Sequence, residues 1–465
     1  MSNNEEEKGQ RKNPLAYKSI RRLLFSFAWP TILGSVANSM YNIVDQIFIG
    51  HGVGYVGNAA TNVSHPFIII CLAIGLLAGI GSATNYSVEL GRGNTQKAKE
   101  VAGTAISLVG IFGILFVILL NIFLPQLLVF FGATDEILPY AIEYVRILSL
   151  SFPLLLFAIA LFPLMRADGN FIMPMVSILF GVTLNTILNA IFVLGLGLGM
   201  KAVATATVIS EVFATGMLFF FIPKFKNVKF TFKDFIPKKK AIKTIVALGM
   251  SPFIFQISAT FIQIILNNLL NHYGSLSAYG SEIPIAIAGI VSKINIIFIS
   301  LVIGFTQGAQ PIIGYNYGAR NYERVHQTIK LLLKITLVIS VIAFAVFEIF
   351  PKELISIFGT ADERYFEFGS KYMRITLFFT FIAGASISSS TFFTSIQKPK
   401  IGVMLSLLKQ VLLLLPLLVI LPKFLEIDGI LYATPVADFL SFLLAMHLLR
   451  LQLKKIPKEN KNPNV

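Results

Sequence analysis

Asn38, Tyr41, Asn42 and Asp45 stand at i, i+3, i+4 and i+7 within an apolar run, which puts all four on one helical stripe. A carboxylate inside hydrocarbon is costly and normally faces a bundle interior or a watery cavity. No Lys or Arg follows Arg22 in this run to neutralise Asp45. Such a carboxylate can take up and release a proton, or hold Na⁺ together with neighbouring hydroxyls and amides. The plainer reading is a buried acid capped by Asn and Tyr donors that lock the helix; the missing counter-charge favours exchange.

A second stripe, Gln256, Thr260, Gln263 and Asn267, repeats the spacing without the charge. Aligning Pro30 with Pro252 pairs Asn38 with Thr260, Tyr41 with Gln263 and Asp45 with Asn267. That implies divided labour: ion handling on the first stripe, and pathway lining or amide contact between helices on the second. Asn185 and Asn189 are spaced i, i+4, and Thr207, Ser210 and Glu211 share one helix face. Glu211 and Asp438 align in the two halves; such a pair could serve transport, or each could pair with Arg146, Arg374 or Lys409, which is the favoured role. The glycines Gly75, Gly79, Gly81, Gly304 and Gly308 are expected to permit close helix contact. Lys293 carries no assigned role.

Other chemistries lack their residues. There is no G-x-x-x-x-G-K-[ST] loop, so no ATP drive is encoded, and neither G-x-S-x-G nor H-E-x-x-H occurs. The five His (51, 65, 272, 326, 447) are scattered, and the single Cys71 forms neither a disulfide framework nor a thiol metal site. No enzyme is expected, and no cofactor.

The elements that position these residues must be membrane helices. Of 465 residues 55% are hydrophobic and 13% charged, against about 25% charged in soluble domains. Twelve apolar segments follow one another, at 21–49, 59–89, 101–130, 140–165, 171–196, 202–223, 244–272, 283–315, 328–350, 366–396, 401–423 and 429–450. Each meets the length of about 20 residues that a spanning helix needs, and lipid leaves backbone groups to be satisfied within the segment. Residues 1–18 are polar and the first segment is too long for a leader's apolar region, so no cleavable signal is expected.

The net charge is +15, but the cations sit in short loops, which argues for membrane orientation over nucleic-acid binding. Lys8, Arg11, Lys12, Lys18, Arg21 and Arg22 precede the first segment or open it, and eight lysines fall between 224 and 243. The alternate loops 50–58, 131–139 and 273–281 have no Lys or Arg. Both termini are therefore expected in the cytoplasm.

The chain also repeats itself. Phe131-Gly132-Ala133-Thr134-Asp135-Glu136 returns as Phe358-Gly359-Thr360-Ala361-Asp362-Glu363, and Tyr144-Val145-Arg146-Ile147 as Tyr372-Met373-Arg374-Ile375. Six segments separate the copies, so the halves are parallel repeats about an axis along the membrane normal. The expected architecture is all-α and polytopic: two six-helix bundles, 21–223 and 244–450, related by a pseudo-twofold axis. Cytoplasmic tails 1–20 and 451–465 flank them, and the basic linker 224–243 is the hinge between them. Two such bundles are the usual frame for alternating access.

Several motifs carry a family resemblance. Tyr41-Asn42-Ile43-Val44-Asp45-Gln46-Ile47-Phe48-Ile49-Gly50, Arg166-Ala167-Asp168-Gly169-Asn170 and Ala204-Thr205-Ala206-Thr207 resemble the multidrug and toxic compound extrusion (MATE) family. So do Gln307-Gly308-Ala309-Gln310-Pro311-Ile312-Ile313-Gly314-Tyr315-Asn316-Tyr317-Gly318-Ala319, Leu408-Lys409-Gln410 and Thr434-Pro435-Val436-Ala437-Asp438. The likeness spans residues 20 to 450 and is nearest the prokaryotic DNA-damage-inducible-type branch. It implies export of organic cations and amphipathic drugs from a central cleft, against inward H⁺ or Na⁺, by a monomer in the bacterial inner membrane among its lipids. It also implies an ion site in the N-terminal half. Asp45 matches the first-helix acid, and the metal ligand if Na⁺ is the ion; Tyr144, Asn185 and Thr207 match other members, and Pro30 the proline where the first helix bends. Asn189 stands where that branch often has Asp, leaving one acid where two are common. The alternatives are a lipid-linked-precursor flippase of a related branch, which would need a more basic cleft, and, from another class, a membrane-embedded enzyme or scaffold.

Overall fold

A computed structural model describes residues 13–52, 55–197, 199–358 and 363–457. The tail cations Lys8, Arg11 and Lys12 and positions 359–362 of the repeated motif lie outside the described residues, as do the side chains at 42, 43, 46, 47, 50–52, 55, 56, 58 and 194. Among the described residues every regular element is helical. Ten helices are long and apolar enough to cross a membrane, and two bent pairs bring the crossings to twelve.

The N-terminal half contains α1 (Ile20–Gly52), α2 (Tyr55–Gly91), α3 (Thr95–Ile122), the pair α4 (Leu138–Ser149) and α5 (Phe152–Ala167), α6 (Ile172–Asn189) and α7 (Gly199–Phe219). The C-terminal half contains α8 (Lys239–Ser275), α9 (Glu282–Gly318), α10 (Tyr322–Ile349), the pair α11 (Glu363–Thr376) and α12 (Thr380–Ser395), α13 (Pro399–Leu407), α14 (Leu415–Ile420) and α15 (Pro422–Lys455). A π turn follows α6 at Ala190–Gly195, and another, Leu408–Leu414, joins α13 to α14.

Two segments read from sequence as unbroken, 140–165 and 366–396, are each bent. The axes of α4 and α5 meet at 54°, those of α11 and α12 at 44°. At the first break Pro153 enters α5 in its opening turn, where its missing N–H and its ring prevent the preceding helix from continuing. At the second, Thr376 Oγ1 bonds back to the Tyr372 carbonyl at 2.6 Å, a contact that bends helices. Apolarity marks both crossings but says nothing of these breaks.

The halves interlock at one end, where the chain termini and the linker lie. There α1 packs on α9, and α2 on α8 and α9. Leu23, Leu24, Ala28 and Ile32 of α1 share a core with Phe305, Ile312 and Ile313 of α9. Small residues make this closeness possible, as the sequence suggested. A Cβ on Gly81 would strike the Ile245 carbonyl, and one on Gly304 the Ile32 side chain. Gly91, Gly249 and Gly318 press equally close to backbone across the halves. The hydrogen bonds Gln310 Nε2 to Thr84 Oγ1 (2.8 Å) and Gln397 Nε2 to Asn85 Oδ1 (2.9 Å) lie at the same end. At the other end Asn38, Phe261, Gln263 and Asn267 are exposed.

The connection between the halves lies against the N-terminal half. Phe225 and Val228 are buried in its core. Asp168, itself buried, accepts from Tyr86 Oη (2.6 Å), the Lys226 N–H (2.5 Å), the Asn227 N–H (3.1 Å) and Asn227 Nδ2 (2.9 Å). Burial pushes its carboxyl above the ordinary carboxylate range, against the pull of these donors. Further along, Asp234 caps its own turn through Thr231, and Ser107 donates to the Phe235 carbonyl. The sequence reading of a hinge thus meets a strap tied along its length. Asp168→Ala should strand several buried donors, at about 1–3 kcal/mol for each group left unpaired. The expected result is a lower Tm in detergent, with Asp168→Asn falling between the two; an unchanged melt would remove Asp168 from the anchoring role.

Candidate functional site

The first stripe lies on the half of α1 that leads away from the interlocked end. α1 runs through Pro30 as one helix and packs on α6 and α7. That places Asp45, buried to 9% exposure, against Asn189, which is fully buried. Asn189 Nδ2 donates to Asp45 Oδ1 at 2.9 Å and to Asn185 Oδ1 at 2.8 Å. Asn185 Nδ2 donates to Thr207 Oγ1 at 3.2 Å, and the Thr207 hydroxyl donates to the Val203 carbonyl at 3.0 Å. Tyr41 Oη lies 3.4 Å from the same Thr207 oxygen. Tyr144 on α4 is buried within electrostatic reach of Asp45.

The structure therefore joins Tyr41, Asp45, Asn185, Asn189 and Thr207 in one connected cluster, with Tyr144 beside it. Asn42's side chain lies outside the described residues. Asn38 is exposed, toward open space. The second stripe makes a different arrangement: Thr260 donates to the Gln256 carbonyl (3.1 Å) and Gln263 Nε2 to Asn267 Oδ1 (3.0 Å), both bonds along α8 itself. Gln263 and Asn267 are exposed and remain off the cluster.

One atom of the cluster is unsatisfied. Asn189 Oδ1 is buried without a hydrogen-bond partner among the described residues. Its amide is oriented by two acceptors on the nitrogen side, so the oxygen must face the remaining space. A buried carbonyl oxygen without a donor is rare in native proteins and asks for an explanation. An amide oxygen beside a carboxylate with no cation partner is a hard-oxygen donor set for a small monovalent cation. Among the described residues no group of three His, Cys, Asp or Glu is placed to hold a metal ion, so the chemistry here is that of one carboxylate and neutral oxygens. Removing the amide that steadies Asp45 tests the arrangement. A hydrogen bond to a charged group contributes about 1.5–3 kcal/mol, so Asn189→Ala should raise the half-saturating concentration of the bound ion by roughly tenfold to a hundredfold. Half-saturation within about twofold of the native protein would separate Asn189 from ion binding.

The sequence reading favoured ion pairing for both acids of one aligned pair. Glu211 and Asp438 align as equivalents, yet their settings differ. Asp438 pairs with Lys409 at 2.6 Å, one of the partners named from sequence. Glu211 accepts from Thr215 Oγ1 at 3.1 Å and has no ion pair among the described residues. It lies within electrostatic reach of Tyr41. Its i+4 relation to Thr207 was the available signal.

Comparison with known proteins follows this geometry. The MatE family model matches residues 30–191 and 252–420. "Multidrug export protein MepA" of Staphylococcus aureus (strain N315) is 26% identical over 429 residues, covering 91% of this chain and 92% of its own length. MepA of Staphylococcus haemolyticus (strain JCSC1435) is 24% identical over 432 residues, with 92% and 93% covered. Among solved structures, the MATE multidrug transporter DinF-BH superposes with a TM-score of 0.85 at 31% identity, over 92% of this chain and 95% of that one. An outward-facing MATE transporter of the MOP superfamily gives 0.88 at 20% identity over 97% and 99%, a likeness of fold.

Proposed function

This chain belongs to the MatE family, and from that premise we propose that it exports organic cations and amphipathic drugs in exchange for H⁺ or Na⁺. It is a multi-pass membrane protein and a multidrug efflux transporter of the MATE type. The observation that carries the antiport reading is Asn189 Oδ1, without a hydrogen-bond partner among the described residues, beside the Asp45 carboxylate, without an ion pair among them. Asp45 binds the ion, Asn189, Asn185 and Thr207 hold its surroundings, and Tyr41 and Tyr144 close the site.

The side of the cleft carrying Asn38, Gln256, Thr260, Gln263 and Asn267 is the substrate pathway. Apolar walls with a few polar groups suit varied amphipathic molecules. Asn42 belongs to the ion side by its place in the stripe. The loop cations set the interlocked end in the cytoplasm of a bacterial inner membrane, so the described conformation opens outward. Ion binding and drug binding then favour different arrangements of the halves, since a ligand shifts only what it binds differentially. Pro30 interrupts the backbone ladder of α1 and is the point where that helix yields. The protein acts as a monomer.

Ethidium movement in everted vesicles, under a Na⁺ gradient and a pH gradient imposed separately, tests this reading. Uptake driven by one gradient names the ion. Indifference to both gradients, with every cationic dye tried, overturns antiport.

A further inference from the structure

We infer that Glu211 is a second ion-exchanging carboxylate of the N-terminal half, so that two monovalent cations move per substrate molecule. The inference rests on the antiport reading above and goes beyond it in the residue and the stoichiometry.

Placement is the first argument. Glu211 follows Thr207 by four residues on α7, and Tyr41 precedes Asp45 by four on α1; such pairs sit one above the other on a helix face. The Tyr41 and Thr207 hydroxyls meet at 3.4 Å. Tyr41 feels both Asp45 and Glu211. The two acids therefore bracket one hydroxyl pair, with Asp45 in the layer farther from the interlocked end. A polar series descends the half: Asp45, Asn189, Asn185, Thr207, Glu211 and Thr215.

Compensation is the second argument. A carboxylate in an apolar bundle needs a balancing charge or proton. Asp438 has Lys409 for this purpose; Glu211 has one hydroxyl donor. The helices packed on α7 bring few ionisable groups. α6 has none, and α5 has only Arg166, at its end nearest the linker. α4 brings Tyr140, Glu143, Tyr144 and Arg146, of which Glu143 is engaged by Lys201 of α7 at 2.9 Å. α1 brings Tyr41 and Asp45, with Arg21 and Arg22 in its first turn and His51, whose side chain lies outside the described residues, at its far end. None of these is an ion-pair partner of Glu211 among the described residues. A bound proton or Na⁺ is what remains to balance it. Glu211 is half-buried where Asp45 is buried.

Each carboxylate takes up one cation and returns it, with no covalent step. The stoichiometry is measurable at static head in proteoliposomes, with the membrane potential clamped to zero and ethidium as substrate. For two ions the substrate gradient is the square of the ion gradient. A tenfold gradient of the driving ion (Na⁺ or H⁺) should then hold about a hundredfold ethidium gradient in the native protein and about tenfold in Glu211→Gln. Glu211→Asp should restore the higher value. A native protein that holds only about tenfold overturns the inference even where Glu211→Gln fails to insert, and so does a variant equal to the native protein. A native protein that builds no ethidium gradient under either ion gradient sinks the antiport reading itself, and the inference with it.

Discussion

Asp45→Asn is expected to abolish gradient-driven ethidium transport while leaving the protein inserted at native abundance. The substitution keeps the shape of the side chain and an oxygen able to accept the 2.9 Å bond from Asn189 Nδ2. What it removes is the negative charge, and with it the affinity for a proton or Na⁺. Two-site couplings in proteins are typically about 1–3 kcal/mol, so accumulation should fall by as much as roughly a hundredfold. The melt should change little, because the hydrogen-bonded cluster persists. Abundance by immunoblot and Tm in detergent separate loss of coupling from loss of folding. Full efflux at native abundance would make Asp45 a structural acid.

The second large effect concerns the interlocked end. Gly249 of α8 lies against the backbone of Leu77, and Gly81 of α2 against that of Ile245, a reciprocal crossing with no room for a methyl group. Backbone cannot swing aside as a flexible side chain can. Gly249→Leu should therefore disfavour the interlocked arrangement by more than the roughly 1–3 kcal/mol of ordinary overpacking. That corresponds to a population shift of about tenfold or more. Ser87, buried at this end, offers a reporter: Ser87→Cys in a Cys71→Ala background should react with a maleimide about tenfold faster once Gly249→Leu is added. Gly216→Ala, where nothing lies within 4 Å of the new Cβ, is the control. Equal reactivity with and without Gly249→Leu would show that the crossing does not hold this end shut.

Much of this molecule is legible because lipid constrains it so heavily. Apolar run length gives the crossings, and the Asp45 stripe and the Asn185–Asn189 pair fall on faces that spacing alone defines. Gly81, Gly304 and Gly308 were readable as close contacts, and the structure supplies their partners. Gly91, Gly249 and Gly318 were not readable in that way, because periodicity says which face of a helix is special and not which helix meets it. The same limit left the surroundings of Glu211 unread. Its face was visible in the sequence, but the reach of Tyr41 across to α7 depends on how α1 and α7 are packed. The breaks at Ser149–Phe152 and Thr376–Thr380 escaped for another reason. Hydropathy averages over a window, while a bend turns on single residues such as Pro153 and Thr376.

The tied strap between the halves changes the mechanics of any rocking motion. It is fastened to the N-terminal half as far as Lys238, whose N–H reaches Thr104 Oγ1 (3.3 Å) and whose ammonium meets Glu100 (2.5 Å). α8 starts at the next residue. The first turns of α8, through Ile245 and Gly249, are thus held on one half while Ile262 and Leu270 farther along are built into the core of the other, like a beam fixed at one support and loaded beyond it. Relative rotation of the halves becomes torque on the first turns of α8, and Pro252, about three and a half turns from the clamp, is where a helix yields most readily. Lys238→Ala combined with Thr104→Val would loosen that clamp without touching either the ion cluster or the cleft.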